Sequence, residues 1–415
     1  MEVQKRSFLN IAFIACAICL IFTQLTWSNL SVDISLSDGS FSTKVLRGFG
    51  AFIFVSSILL SMKQKMKYES AAVKLMYAMI SLSMAELFVA HYFLGQGVKS
   101  TYILNYLVLG IVALRSSASP GLLDKGLNIL AIWLPIMNLS LLIISPSLVN
   151  RSAAQRILFL PYTQRFSGVF GDANVSGFFC CLILIWLHFE KPRFFKLTIT
   201  INLICLILTE SRIALVAYIL GYIILKINLK YSRMLLNIVK MIGIGLSFLL
   251  VYTIYHLVTY QDNITNVLNM RSIIWQWSFK EIRKSPIAGI GLSNFQNDLH
   301  SSISIFWVHA HDQFLQDLIV GGFVRLALIL LVYLVIYQKA KRMLFIGNAL
   351  PLAFFCALLM ESFFEVPLFL PTIDFRFFTA IFLIVVIFEK RNLIESEVLT
   401  QATDGSSQKL QAKRF

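Results

Sequence analysis

The sequence predicts an all-α, polytopic membrane fold of about 12 transmembrane helices, and composition, recurring apolar runs and the placement of basic residues carry that prediction. Of 415 residues, 58% are hydrophobic and only 14% charged, with a mean hydropathy of +0.76. A soluble chain of this length covers its surface with more charge, so the soluble-enzyme class is excluded. Roughly 20 consecutive apolar residues cross the hydrocarbon core of a bilayer, and such runs recur along the chain. In a soluble protein the net charge of +15 would point to nucleic acid. Here it is explained by lysines and arginines flanking the apolar runs, and no nucleic-acid partner is expected.

The candidate spans are 8–28, 46–62, 71–95, 102–118, 127–148, 173–189, 197–210, 212–229, 234–258, 313–338, 343–360 and 374–389. Residues 1–389 form one multispan domain and 390–415 a polar cytoplasmic tail. Lys5 and Arg6 ahead of the first run resemble a signal peptide's charged region, but the run is long and no small-x-small site follows, so an uncleaved first span is expected. With the N-terminus inside, every inside connection is basic: Lys63, Lys65 and Lys67; Arg115 and Lys125; Lys191, Arg193 and Lys196; Lys226, Lys230 and Arg233; Lys339, Lys341 and Arg342. This is the positive-inside pattern. All six cysteines (Cys16, Cys19, Cys180, Cys181, Cys205, Cys356) lie in apolar runs, which argues against a disulfide framework or a zinc knuckle.

Arginines on the outside face run against the topology rule, so another requirement is expected to hold them there. They are Arg151, Arg156 and Arg165 before span six, Arg212 after span seven, and Arg271 and Arg283 after span nine. The longest outside segment, 259–312, carries three of the six tryptophans (Trp275, Trp277, Trp307) and an amphipathic stretch over 273–282. That stretch reads as a short helix on the membrane surface with its tryptophans at headgroup depth. Pro286, Gly289 and Gly291 in SPIAGIGLSNF then punctuate a turn.

Four clusters hold residues able to do chemistry. RFSGVFGDANVSG, with Arg165, Gly168 and Asn174, places glycines and an amide just before an apolar helix, an entry that leaves backbone N–H groups for an anion; the plainer reading is an ordinary loop. Glu210 and Arg212 in TESR lie between two spans, where an arginine needs a ligand or a partner such as Glu210. Arg271, with Trp275 at helical spacing, faces phosphate or merely lipid headgroups. WVHAHDQFLQ closes the outside loop with His309, His311, Asp312 and Gln316. A histidine there can take a proton from a sugar hydroxyl, bind a metal, or be structural. Glu86, His91 and Arg325 are ionisable residues inside spans, and Asp374 and Arg376 open the last span on the outside. Together these groups form a kit for a diphosphate leaving group and a hydroxyl nucleophile. Arginine forks match phosphate oxygens and stay charged, they neutralise a departing diphosphate without a metal, and His311 deprotonates the attacking hydroxyl in one inverting displacement.

The order RFSGVFGDANVSG, LTESRIAL, RSIIWQW…SPIAGIGLSNF and HAHDQFLQDLIVGG resembles the bacterial O-antigen ligase/polymerase superfamily over about 165–325. The resemblance implies a C-type glycosyltransferase-like fold with a large extracytoplasmic loop carrying short helices, multi-pass in the bacterial inner membrane, with its active site on the periplasmic face. It implies transfer of a glycan from undecaprenyl diphosphate, with no metal or other cofactor. The acceptor is lipid A-core for a ligase, which is preferred here, or another repeat unit for a polymerase. His311 matches the family's catalytic histidine, although Asp312 follows where an amide is usual. Arg212 and Arg271 match its functional arginines, with Arg165 beside them. Gly322 keeps the family's spacing, and Arg325 stands where a small residue or tyrosine is typical. The expected partners are the lipid-linked donor, the acceptor glycan and membrane lipids. A reading of another class, a lipid-linked oligosaccharide flippase, would place its cations across the bilayer midplane, whereas these gather at the outer mouth.

Overall fold

The computed structural model describes residues 150–152, 164–168, 172–227 except 193, 271–291 and 310–366, with parts of 131–144 and 234–248. The expected first four spans and the last, the remainder of the 259–312 loop, the 390–415 tail, and the candidates Glu86, His91, Arg156, His309, Asp374 and Arg376 lie outside the described residues. The described part is mostly helical. It comprises α1 (Ala173–Glu190), α2 (Phe195–Leu208), α3 (Arg212–Lys226), α4 (Arg271–Lys284), α5 (Gln313–Phe345) and α6 (Leu350–Ser362). The all-α expectation omits one feature, a two-stranded antiparallel ladder of β1 (Asn150–Ser152) and β2 (Gln164–Phe166) that sets Arg151 opposite Arg165.

Among the described helices, α1 and α5 are long and apolar enough to cross a membrane. α1 packs on α2, α3 and α6, and α5 packs on α6 and α4. The core lies around α1, whose Phe178, Ile183, Leu184, Ile185, Trp186 and Leu187 are all but inaccessible, and along α6, where Phe354 and Leu358 are equally buried. Small residues let these helices approach, as lipid-embedded packing requires. Ala214, Ala217 and Gly221 line the buried face of α3, and a Cβ on Gly221 would stand 2.5 Å from Ile185 Cδ1.

Helix ends follow local chemistry. α5 closes in a Schellman turn: Gly347, at φ 102°, donates to Leu344 O and Asn348 to Met343 O. Asn348 Oδ1 then accepts from Leu350 N, and Pro351 sits in the first turn of α6. The break therefore falls at 346–349, later than the 339–342 connection read from the sequence. Lys339, Lys341 and Arg342 stay helical, because long basic side chains carry their charge away from an apolar helix that continues beneath them.

α5 is itself interrupted at Gly322, which adopts φ 63°, ψ −160°. The turn after α4 supplies the hydrogen bonds that the break forfeits. Ile290 N donates to Ile319 O and Gly291 N to Val320 O, while Phe323 N donates to Pro286 O and Val324 N to Ile287 O. The SPIAGIG segment thus replaces part of a helical turn, and buried backbone groups stay paired. Ile274, Trp275 and Ile282 of α4 pack with Leu315, Ile319 and Val320 beside this junction. Trp275 is consequently 4% exposed, and its indole N–H donates to Ala310 O.

The junction leaves no room for side chains. A Cβ on Gly322 would lie 2.1 Å from Ile287 O and one on Gly289 2.4 Å from Val320 O, both at positive φ. Gly322→Ala is expected to cost at least about 2 kcal/mol through strain and overlap, read as a lower unfolding temperature in detergent. Gly245→Ala, whose Cβ meets nothing within 4 Å, is expected to melt with the wild type. Equal melting of Gly322→Ala and the wild type would contradict the junction.

Candidate functional site

Arg165, Asn174, the 209–212 turn, Arg271, His311 and Glu365 meet at one end of the helices, opposite the ends of α1, α3 and α5 that carry Lys191, Lys226 and Arg342. Their meeting point is Glu365, which is 2% exposed just beyond α6. Its Oε1 accepts from Asn174 Nδ2 at 2.7 Å and from Arg271 Nη2 at 3.1 Å. His311 Nδ1 lies 3.1 Å from both carboxylate oxygens. Asn174 Oδ1 in turn accepts from Arg165 Nη2 at 3.0 Å, so one carboxylate links His311, Arg271, Asn174 and Arg165.

Arg165 also closes the end of α2, with Nε and Nη2 donating to Thr209 O at 3.2 and 3.0 Å. A guanidinium at a helix C-terminus meets the negative end of the dipole. Burial lowers its proton affinity, Asp172 and Glu210 raise it, and Arg271 lowers it again, so these charges share one electrostatic environment.

An open cleft is lined by Arg165, Asn174, Glu210, Arg212, Arg271 and Glu365, with Ser211, Ile213, Glu361 and Phe364. Glu210, at φ 50°, turns the chain sharply between α2 and α3. Arg212 opens α3, is exposed, and makes no side-chain hydrogen bond or ion pair among the described residues. The alternative, a pairing of Arg212 with Glu210, is not formed among the described residues. Ser211, the N-cap of α3, makes no side-chain capping bond, so the first-turn N–H groups lack the partner a cap would give. The glycine-rich run leads to a different outcome. At α1, Asp172 accepts from Asn174 N and Val175 N, occupying N–H groups that the sequence left for an anion. Gly168 (φ 55°) is buried with Asn138 over its α-carbon. Of the α1 and α3 entries, which both lie at the cleft, that of α3 is the one without a side-chain cap.

His311 is 5% exposed and does not line the cleft directly; it reaches it through Glu365. Its backbone is left-handed, φ 53°, a conformation that a non-glycine residue keeps only when neighbours impose it. On one side Ala310 is held by Trp275 and by Gln316, whose Oε1 accepts Ala310 N at 2.7 Å. On the other, Asp312 caps α5 by accepting Leu315 N at 2.7 Å. Asp312 and Gln316, expected to touch substrate, are fully buried and face the backbone of this turn. Arg325 bonds Asp317 Oδ1 at 2.7 Å across the Gly322 break, and Gln313 holds the other oxygen. Both stand apart from the cleft lining. Among the described residues no cluster of three or more His, Cys, Asp or Glu has metal-holding geometry.

Sequence reasoning passed over Glu365 and Glu361. The available signal was a pair of acids in the apolar stretch ESFFEVPLFL, since a buried carboxylate needs cations or donors around it.

Burial pushes the Asp312 carboxyl up to about 7, opposed by the Leu315 and Phe314 N–H groups. A folded-state value above the ordinary range near 3.9 means that stability is full below that range and is lost as pH rises through about 7. Asp312→Asn keeps the cap without the charge. It is expected to melt a few degrees above the wild type at pH 8, with the gap closing by about pH 4. A gap independent of pH would contradict this reading.

Comparison with curated proteins gives no match. Residues 197–330 match the family model described as O-antigen ligase, a segment that contains most of α2, all of α3 and α4, His311 and the first half of α5. Members of this family are membrane proteins, and its activities are of the ligase or polymerase type. Over that segment, the chain is similar to the O-antigen ligase-like superfamily.

Proposed function

We propose that this protein transfers a glycan from undecaprenyl diphosphate to a sugar hydroxyl on the periplasmic face of the inner membrane, as an O-antigen ligase with a lipid A-core acceptor. The observation that carries the reading is the convergence on one cleft of Arg165, Arg212, Arg271 and the α3 entry, with His311 joined to it through Glu365. The helix ends that form the cleft lie opposite the ends of α1, α3 and α5 that carry Lys191, Lys226 and Arg342, which supports an outside location.

In this mechanism the diphosphate rests at the first turn of α3, where N–H groups and the helix dipole favour an anion. Arg212 and Arg271 supply forked contacts, and Arg165, committed to Thr209 and Asn174, supplies field. His311, with Nδ1 on the carboxylate, presents the Nε2 lone pair to the acceptor hydroxyl. The hydroxyl oxygen bonds to the anomeric carbon as the carbon–oxygen bond to phosphate breaks and its electron pair leaves on the diphosphate. The arginines meet the charge that develops there, and a single displacement inverts the centre. Every group named comes from the chain itself, so the reaction is written without a metal.

His311→Ala is expected to lower transfer by about 10²–10⁴ at normal protein level, assayed with purified protein and its native lipid-linked donor. Unchanged transfer would reject the mechanism, and loss of lipid-carrier translocation in its place would favour a flippase. Arg212→Ala is expected to raise the donor KM about 10-fold or more, the worth of a charge-assisted hydrogen bond, and an unchanged KM would remove Arg212 from the donor site. A deletion strain is expected to show core lipid without attached chain alongside polymer retained on the carrier. Single repeat units on the core would instead identify a polymerase.

A further inference from the structure

We infer that Glu365 is the positioning residue of the transfer site, fixing the tautomer of His311 and the reach of Arg271 at once. The inference rests on the proposed glycosyl transfer and concerns a residue outside the matched 197–330 segment. Three facts support it. Glu365 is 2% exposed within an apolar stretch, a placement that is costly unless donors surround the charge. Those donors are His311, Arg271 and Asn174, each from a different element. The carboxylate also lines the cleft proposed for an anionic diphosphate. For donor binding alone, a negative charge there is adverse, because like charges repel. Its benefit therefore lies in a step other than binding.

Proton transfer is such a step. A carboxylate that accepts from Nδ1–H leaves the lone pair on Nε2 and pairs with the imidazolium once Nε2 has taken the hydroxyl proton. The Nδ1 proton stays on the ring, and Glu365 stays ionised throughout. The same carboxylate holds the Arg271 guanidinium at 3.1 Å, so base and anion-binding arm keep a fixed spacing. Asn174 extends this control to Arg165.

The test compares Glu365→Gln and Glu365→Asp in the full chain, using lipid-linked glycan extracted from the producing cells as donor and inorganic diphosphate as binding probe. Glu365→Gln is expected to bind diphosphate as tightly as the wild type or more so and to keep its donor KM within about 3-fold. Its kcat is expected to fall by about 10²–10⁴, the scale of losing an orienting carboxylate beside a catalytic histidine. Glu365→Asp is expected to recover part of kcat. An unchanged kcat in Glu365→Gln would overturn the inference, as would weakened diphosphate binding with kcat intact. If His311→Ala is inactive in the same assay, the glycosyl-transfer reading survives that failure; if both variants are active, the reading falls as well. Nitrogen NMR of the histidine-labelled wild type gives a readout independent of variant folding. The Nδ1–H tautomer of His311 supports the inference, and the Nε2–H tautomer overturns it.

Discussion

A carboxylate withdrawn from water inside an apolar helix bundle has to be matched by donors, and the arrangement around Glu365 follows from that constraint. The side chain is nearly inaccessible, and the residues that satisfy it arrive from α1, from α4 and from the turn before α5. Satisfying one buried charge therefore brings together segments far apart in the sequence. It also sets an imidazole and a guanidinium on the same carboxylate, the guanidinium on Oε1 and the imidazole beside both oxygens, with a second arginine linked through Asn174. A pair that roughly offsets its own desolvation contributes little to stability; its value here is geometric.

The scaffold that keeps His311 in place is equally specific. Its left-handed backbone is set between a tryptophan–glutamine clamp on Ala310 and the Asp312 cap. α4, which carries Arg271, is tied to α5, which follows His311, by the backbone bonds that fill the Gly322 break. Arg325 and Asp317 bridge the same break. The helix that carries Arg271 and the helix that follows His311 are thus tied together, as a site needs if its groups are to stay within reach of a reacting atom.

Much of this was legible in the sequence because membrane helices and arginine placement follow strong rules. Apolar runs delimited α1 and α3 within a few residues, and the outside arginines stood out because topology gave them no reason to be there. What escaped the sequence depended on contacts between distant segments. The glycine-rich run before α1 looked like an anion site, yet Asp172 turns back onto two of its N–H groups, whereas Ser211, a good capping residue by type, makes no capping bond at α3. Arg325 looked like a stray intramembrane charge until the break brought Asp317 against it, eight residues earlier in the chain. Glu365 belonged to no spacing pattern at all. Its importance comes from three partners 54 to 191 residues away.

The most direct measurement of the central claim is an experimental structure with polyprenyl diphosphate bound in lipid nanodiscs. The account predicts phosphate oxygens within hydrogen-bond reach, about 3 Å, of the Arg212 and Arg271 guanidinium groups and the first N–H groups of α3, with His311 still on Glu365. A diphosphate held elsewhere on the protein, with the cleft between α3, α4 and the end of α6 empty, would contradict it.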